Sequence, residues 1–366
     1  MTKAPIRLLV VDDSAYNRRN IAETFAAFPE VEVVGKAADG EEALRLASLL
    51  KPDVITLDLE MPRMDGFTFL RILMSRTPIP VIVVSSYAQR ENIFKALELG
   101  ALDFVAKPTA QIASDATSLR EQIAQKVLIV QQLRGTPKLA EAIARRHGSG
   151  PVLPVSIDGR AAMLDAAATR AAVAVAAPDY VVAIASSTGG PSALLEIFSK
   201  VPRTSTAAIV VAQHMPDKFT RTFADRLDRR GVVRTSEAED GDRIGRLMGF
   251  VCPGQRCMEV VKIGAELRIS VTAPRSDDRY VPSADRLLKS VAQAAATRAI
   301  GIILTGMGDD GAVGARAIRD AGGLVIAESQ ETAVVYGMPG AVVRAGIPHK
   351  VLSLPEIADC IAHLPG

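Results

Sequence analysis

The chain has 366 residues, 48% hydrophobic but only 4% aromatic, with no Trp and a formal net charge of +2. That length exceeds one ordinary domain, cores built from Val, Ile, Leu and Ala suit parallel sheets covered by helices, and the near-neutral balance argues against bulk attraction to nucleic acid or membrane. No apolar run reaches the roughly 18 residues of a transmembrane helix, three cysteines fit a reducing cytoplasm, and Met1–Ile6 runs straight into a strand-like segment rather than reading as a signal peptide.

In chain order, Ile6–Val11, Val31–Lys36, Val54–Leu57, Val81–Val84 and Leu102–Val105 are predicted strands. Helical spacing falls between them over Tyr16–Phe28, Gly40–Leu50, Gly66–Ser75 and Glu91–Leu99, with a last helix over Ser118–Leu133. Short connections in a βα alternation predict a parallel sheet with helices on both faces. Composition then shifts over 134–179, with a Pro/Gly cluster at Gly148–Pro154 and an Ala tract at Ala161–Ala177. That segment reads as a linker, a packed helix being the alternative.

A second alternation begins at Tyr180. Val181–Ala185, Ala208–Ala212, Ile300–Leu304 and Gly322–Ala327 are buried-strand runs, with helices expected to start at Pro191, Asp217, Ser283 and Gly311. Shorter β-like pieces between Gly249 and Thr272 (GFVCPG, MEVVK, ELRISV) predict a hairpin insertion. The expected fold is therefore α/β, two doubly wound parallel-sheet domains over 1–133 and 180–366.

Ligands in open α/β sheets gather at the carboxyl ends of strands. Asp12 and Asp13 follow the first predicted strand, Asp58 the third, Ser85 the fourth and Lys107 the fifth, so all five converge on one edge. Three carboxylates supply the hard oxygen ligands that Mg²⁺ prefers. Asp58 would attack a phosphoryl group, and Lys107 and Ser85 would pair with the phosphate formed. Each residue alone reads as an ordinary turn acid or solvated Lys; the joint placement carries the inference. With Met61-Pro62-Arg63-Met64-Asp65-Gly66 and Lys107-Pro108, residues 4–130 resemble the flavodoxin-like response-regulator receiver domain. The resemblance implies Asp58 as phosphoacceptor, Mg²⁺ held by Asp12, Asp13 and Asp58, a histidine kinase as phosphodonor, and Phe104 as an aromatic that moves with Ser85.

In the second half, Ala185-Ser186-Ser187-Thr188-Gly189-Gly190-Pro191 links a strand to a helix. Its S-x-G part matches turns that project a serine nucleophile, and the amides of Thr188, Gly189 and Gly190 at a helix N-terminus suit an oxyanion. Taken alone, the same Gly-rich turn suits phosphate binding equally well. Of four His, His147 lies in the linker, His363 near the C-terminus and His349 before a late strand, whereas His214 directly follows a strand in AQHMP. Asp309 or Asp310, in the turn TGMGDDG, would orient it; a helix N-cap is the bland alternative.

ASSTGGP, AQHMP, VPSADRLLKS, ILTGMGDDGAVGARAIRDAGG and VVYGMPGAV together resemble the Rossmann-like catalytic domain of the chemotaxis-receptor methylesterase/deamidase family, over about 180–364. This implies Ser187 as nucleophile, His214 as base, Asp310 as orienting acid, and Thr188 and Met307 lining the site, Met307 through its backbone. It implies methylated chemoreceptors as substrate and no metal in the ester step. Ser186 beside Ser187 leaves the nucleophile resting on alignment to S-T-G-G. Cys252 and Cys257 are expected to be structural rather than a metal or redox pair. Arg221, Arg226, Arg229 and Arg230 are expected to form a solvated helix face, contact with an acidic receptor surface being the other reading. A competing function is a response regulator whose second half only binds a partner.

Overall fold

The computed structural model describes residues 4–86, 90–107, 116–130 and 176–364. The expected linker and its hinge, with His147, lie outside these residues except for 176–179.

The first half forms β1 (Ile6–Val11), α1 (Ala15–Phe25), β2 (Val31–Ala37), α2 (Gly40–Leu50), β3 (Val54–Leu57), α3 (Gly66–Arg76), β4 (Val81–Ser86), α4 (Arg90–Glu98), β5 (Asp103–Lys107) and α5 (Ala116–Leu128). The sheet is parallel, in the order β2-β1-β3-β4-β5. Helices on both faces bury Leu8, Leu9, Val10, Ile55 and Val83 completely, which is why these strands read as unbroken apolar runs. Capping side chains set the helix starts. Asp39 accepts the Glu41 and Glu42 amides below α2, and Asp65 accepts the Thr68 amide below α3. The last helix is described over Ala116–Leu128; the expected end at Leu133 lies outside the described residues.

The second half forms β6 (Tyr180–Ser186), α6 (Gly190–Lys200), β7 (Ala207–Gln213), α7 (Asp217–Arg230), β8 (Arg234–Glu237), β9 (Met248–Val251), β10 (Cys257–Ile263), β11 (Glu266–Thr272), α8 (Ala284–Ala295), β12 (Ala299–Ile303), α9 (Ala312–Asp320), β13 (Leu324–Glu328), α10 (Met338–Arg344), β14 (Lys350–Leu352) and α11 (Leu354–Ala362). Seven strands pair in parallel in the order β14-β13-β12-β6-β7-β9-β8. The chain winds outward one way from β6 through β7 and the other way from β12, so the topology switches between β6 and β12. That switch opens a crevice at the strand carboxyl ends. The hairpin expectation is corrected in part. GFV is strand β9, parallel to β7 and β8 within the main sheet; only β10 and β11 form the antiparallel hairpin.

The two sheets share a hydrophobic core. Phe94 of α4 stacks on Phe223 of α7 with centroids 5.6 Å apart, and Phe104 of β5 lies 4.8 Å from Phe219. Buried aromatic pairs contribute about 0.5–1.5 kcal/mol each beyond their area. Arg226 donates to Glu91 and Glu98 of α4 at 2.9 and 2.7 Å, and Arg221 bonds Glu237. Arg226 therefore joins the two halves, which corrects both the solvated-face and the receptor-surface readings for this residue.

Candidate active site

At the first sheet's edge, Lys107 Nζ donates to Asp58 Oδ2 at 2.5 Å and to Asp12 Oδ2 at 2.8 Å. Carboxylate oxygens of Asp12, Asp13 and Asp58 all lie within 4.8 Å of one another. Burial pushes the Asp58 carboxyl above its ordinary range, and Asp12 adds to this against the opposing pull of Lys107. Burial works against the Lys107 charge, but Asp58 and Asp12 outweigh it and hold the ammonium above its usual value. Three acids against Lys107, and against Arg18 on the Asp12 and Asp13 carbonyls, still leave unbalanced negative charge, which fits a hard divalent cation. Ser85 is fully buried and Phe104 nearly so; their strands pair in parallel.

At the second sheet's switch point, backbone bonds draw three loops together. Ser187 N donates to Thr305 O at 3.0 Å and His214 N to Ser186 O at 3.0 Å, linking the ends of β6, β7 and β12. His214 Nε2 lies 2.8 Å from Asp310 Oδ2. Asp310, 3% exposed, also accepts the Ala284 amide at 2.8 Å and the Asp285 and Gly311 amides at 3.0 Å. Its charge is thus held by a ring of donors, two of them at the N-terminus of α8. With Nε2 on the carboxylate, Nδ1 is left as the imidazole's acceptor.

The two adjacent serines have different fates. Ser186 is completely buried, and its hydroxyl donates to Gln213 Oε1 at 2.6 Å. Ser187 is half-buried, and among the described residues its hydroxyl makes no hydrogen bond, to His214 included. The Gly190 amide donates to Ser187 O at 2.8 Å, so it closes the turn. A Cβ on Gly190 would sit 2.1 Å from Gln213 Oε1, so only glycine fits there. Gly189 adopts φ +82° at the helix cap. Thr188 Oγ1 donates to Asp103 Oδ2 of the first half at 2.6 Å. Met307 is 38% exposed beside the turn.

Three residues of this site were not singled out from sequence. Gln213 Nε2 donates to Ser187 O at 3.0 Å and His214 O at 3.1 Å, tying the two loops; its place before His214 at a strand end was the available signal. Asp103 begins β5 rather than ending it. Tyr280 precedes α8, stacks on His214 with centroids 5.2 Å apart and planes 4° apart, and donates to Asp309 Oδ1 at 3.1 Å. The Cys pair is buried, and burial pushes both thiols up. Among the described residues, the one cluster of three potential metal-ligating side chains is Asp12, Asp13 and Asp58. Also among them, no helix is long and apolar enough to cross a membrane.

The CheB methylesterase family matches residues 182–361, and the response regulator receiver domain matches residues 8–116. The chain is 45% identical over 363 residues to protein-glutamate methylesterase/protein-glutamine glutaminase 3 of Geobacter sulfurreducens, covering 96% of this chain and 95% of that one. It is 43% identical over 363 residues to the corresponding protein 1 of Myxococcus xanthus, at 99% and 98% coverage. Among solved structures it is similar to the CheB methylesterase catalytic domain of Thermotoga maritima, at 35% identity over 51% of this chain and 98% of that one, with a TM-score of 0.49. On its two matched domains and these near full-length relatives, the chain belongs to the protein-glutamate methylesterase/protein-glutamine glutaminase family.

Proposed function

We propose that this protein is a cytoplasmic serine esterase under receiver control, which hydrolyses glutamyl methyl esters on chemoreceptors, deamidates selected glutamines, and so resets adaptation. The observation that carries the reading is the 2.8 Å His214–Asp310 pair beside Ser187 at the switch point of a parallel sheet. Ser187 Oγ attacks the ester or amide carbon while His214 Nδ1 takes its proton, and the donor-ringed Asp310 carboxylate stabilises the imidazolium. Methanol or ammonia leaves with that proton, and water activated by His214 then frees the glutamate from the serine ester. The Ser187–His214 hydrogen bond closes when substrate enters; catalytic bonds are often open in free enzymes. The burial of Ser186 against Gln213 supports Ser187 as nucleophile. With Gly190 N–H closing the turn, the Thr188 amide and the backbone at Met307 are the donors assigned to the oxyanion, and Gly189 holds the turn open for them.

Control runs through residues 1–133, joined by the 134–179 linker to the catalytic domain at 180–366. Asp12, Asp13 and Asp58 would hold Mg²⁺, which supplies charge neutralisation for a phosphoryl group arriving from a chemotaxis histidine kinase. Asp58 accepts that group, Lys107 and Ser85 hold it, and Phe104 transmits the change. The Asp103–Thr188 bond supports this reading, since it joins a carboxylate of the first half to the residue that follows Ser187.

The test is methanol release from a methylated receptor, with and without a small phosphodonor plus Mg²⁺. Ser187→Ala should cut release by about a million-fold with the fold intact. Substantial release from that variant rejects the serine mechanism, and release insensitive to phosphodonor rejects the control.

A further inference from the structure

We infer that Tyr280 and Asp309 are positioning residues, which fix the plane of the His214 ring in the esterase reaction; this inference rests on the function proposed above. The Tyr280 ring lies parallel to the imidazole, 4° between planes and 5.2 Å between centroids, so it covers one face of the base. An imidazole bonded only through Nε2 to Asp310 remains free to rock about that bond. A flat ring against its face removes that freedom.

The phenol is itself fixed. Its hydroxyl donates to Asp309 Oδ1 at 3.1 Å, and the Arg279 guanidinium lies 5.5 Å from its centroid while pairing with Asp309 Oδ2 at 3.4 Å. Burial and the Asp309 carboxylate push the Tyr280 hydroxyl above its ordinary range, so it stays a donor at neutral pH. Asp309 and Asp310 are consecutive in one turn: one holds the edge of the imidazole, the other the ring that covers its face. The result is a closed circuit, His214 to Asp310 to Asp309 to Tyr280 and back by stacking. Gly308, at φ +89°, lets the turn come this close; a Cβ there would sit 2.5 Å from Tyr280 Oη. The usual reading of the second acid in such a turn is a helix cap, and the Asp309 carbonyl does accept the Ala312 amide at 3.1 Å. Its carboxylate, however, turns away from the helix to the phenol.

A ring that only orients the base should affect turnover rather than substrate binding. In the full-length protein, assayed by methanol release from methylated receptor with phosphodonor and Mg²⁺ present, Tyr280→Ala should lower kcat about tenfold and leave KM within twofold. Tyr280→Phe keeps the stack and should restore kcat to within about threefold of the parent. Asp309→Asn, at an exposed side chain, guards against misfolding of the alanine variant; it should cost about two- to threefold in kcat, and combining it with Tyr280→Phe should add nothing further. An unchanged kcat in Tyr280→Ala, a loss confined to KM, or full additivity in the double variant overturns the inference. The Ser187→Ala control separates the two levels. If it is inactive while Tyr280→Ala is normal, only the positioning role falls; if it retains activity, both fall.

Discussion

The two strand-end sites solve opposite electrostatic problems with similar sheets. At the first, Asp12, Asp13 and Asp58 face one Lys107, and Asp58 is held above its normal range. At the second, Asp310 is more deeply buried than Asp58, yet every bond described for its oxygens comes from a donor: three amides and one imidazole. A site with surplus charge calls for an ion or a charged reactant, whereas a site whose charge is already matched is organised before substrate arrives. The contrast suits a switch and a catalyst in one chain.

The largest expected effect breaks the matched site. Asp310→Asn would press an amide N–H₂ against protein donors or force His214 into the wrong tautomer. Methanol release should fall about 10⁴-fold, and urea unfolding should show a loss of about 1–3 kcal/mol from the unsatisfied amides. Next comes the contact between the two regions. Asp103→Ala removes the bond to Thr188 and should raise the activity of the unphosphorylated chain at least about fivefold, within the usual range of coupling between sites; a fall would show that Asp103 supports the turn instead of restraining it. Gln213→Ala unties the Ser187 and His214 loops and should cost about 1–3 kcal/mol in stability, read by denaturant midpoint, with a lower kcat.

The smallest effect sharpens the other half of the comparison. Because the folded Asp58 carboxyl is raised, its protonated form favours the fold, and that contribution is present at low pH and lost as pH rises through the folded value. A divalent cation offsets the charge that ionisation leaves. Mg²⁺ should therefore raise the Tm by about 2–4 °C at pH 8, less at pH 5, and less again in Asp13→Asn, which removes one of the three carboxylates.

Much of this was legible in the sequence because buried parallel strands are continuous apolar runs and sites follow their carboxyl ends. Asp58, Ser187, His214 and Asp310 each stand directly after such a run or in the turn that follows it. Apart from Gln213, which ends β7, what escaped lies elsewhere. Tyr280 comes from an irregular stretch before α8, and Asp103 from the wrong end of its strand. β9 looks like part of a hairpin in sequence because local pattern does not reveal that Phe250 pairs in parallel with Val210, forty residues earlier. Ser186 and Ser187 look alike in sequence; the pleat of β6 and Gln213 separate them.

The aromatic cluster spanning both halves has a calorimetric consequence. Phe94, Phe104, Phe219 and Phe223 belong to one apolar cluster continuous across the two sheets. While that cluster is intact the halves should melt together, as a single endotherm. Any event that pries them apart should divide it into two peaks, making scanning calorimetry a direct gauge of how tightly the signalling half grips its catalyst.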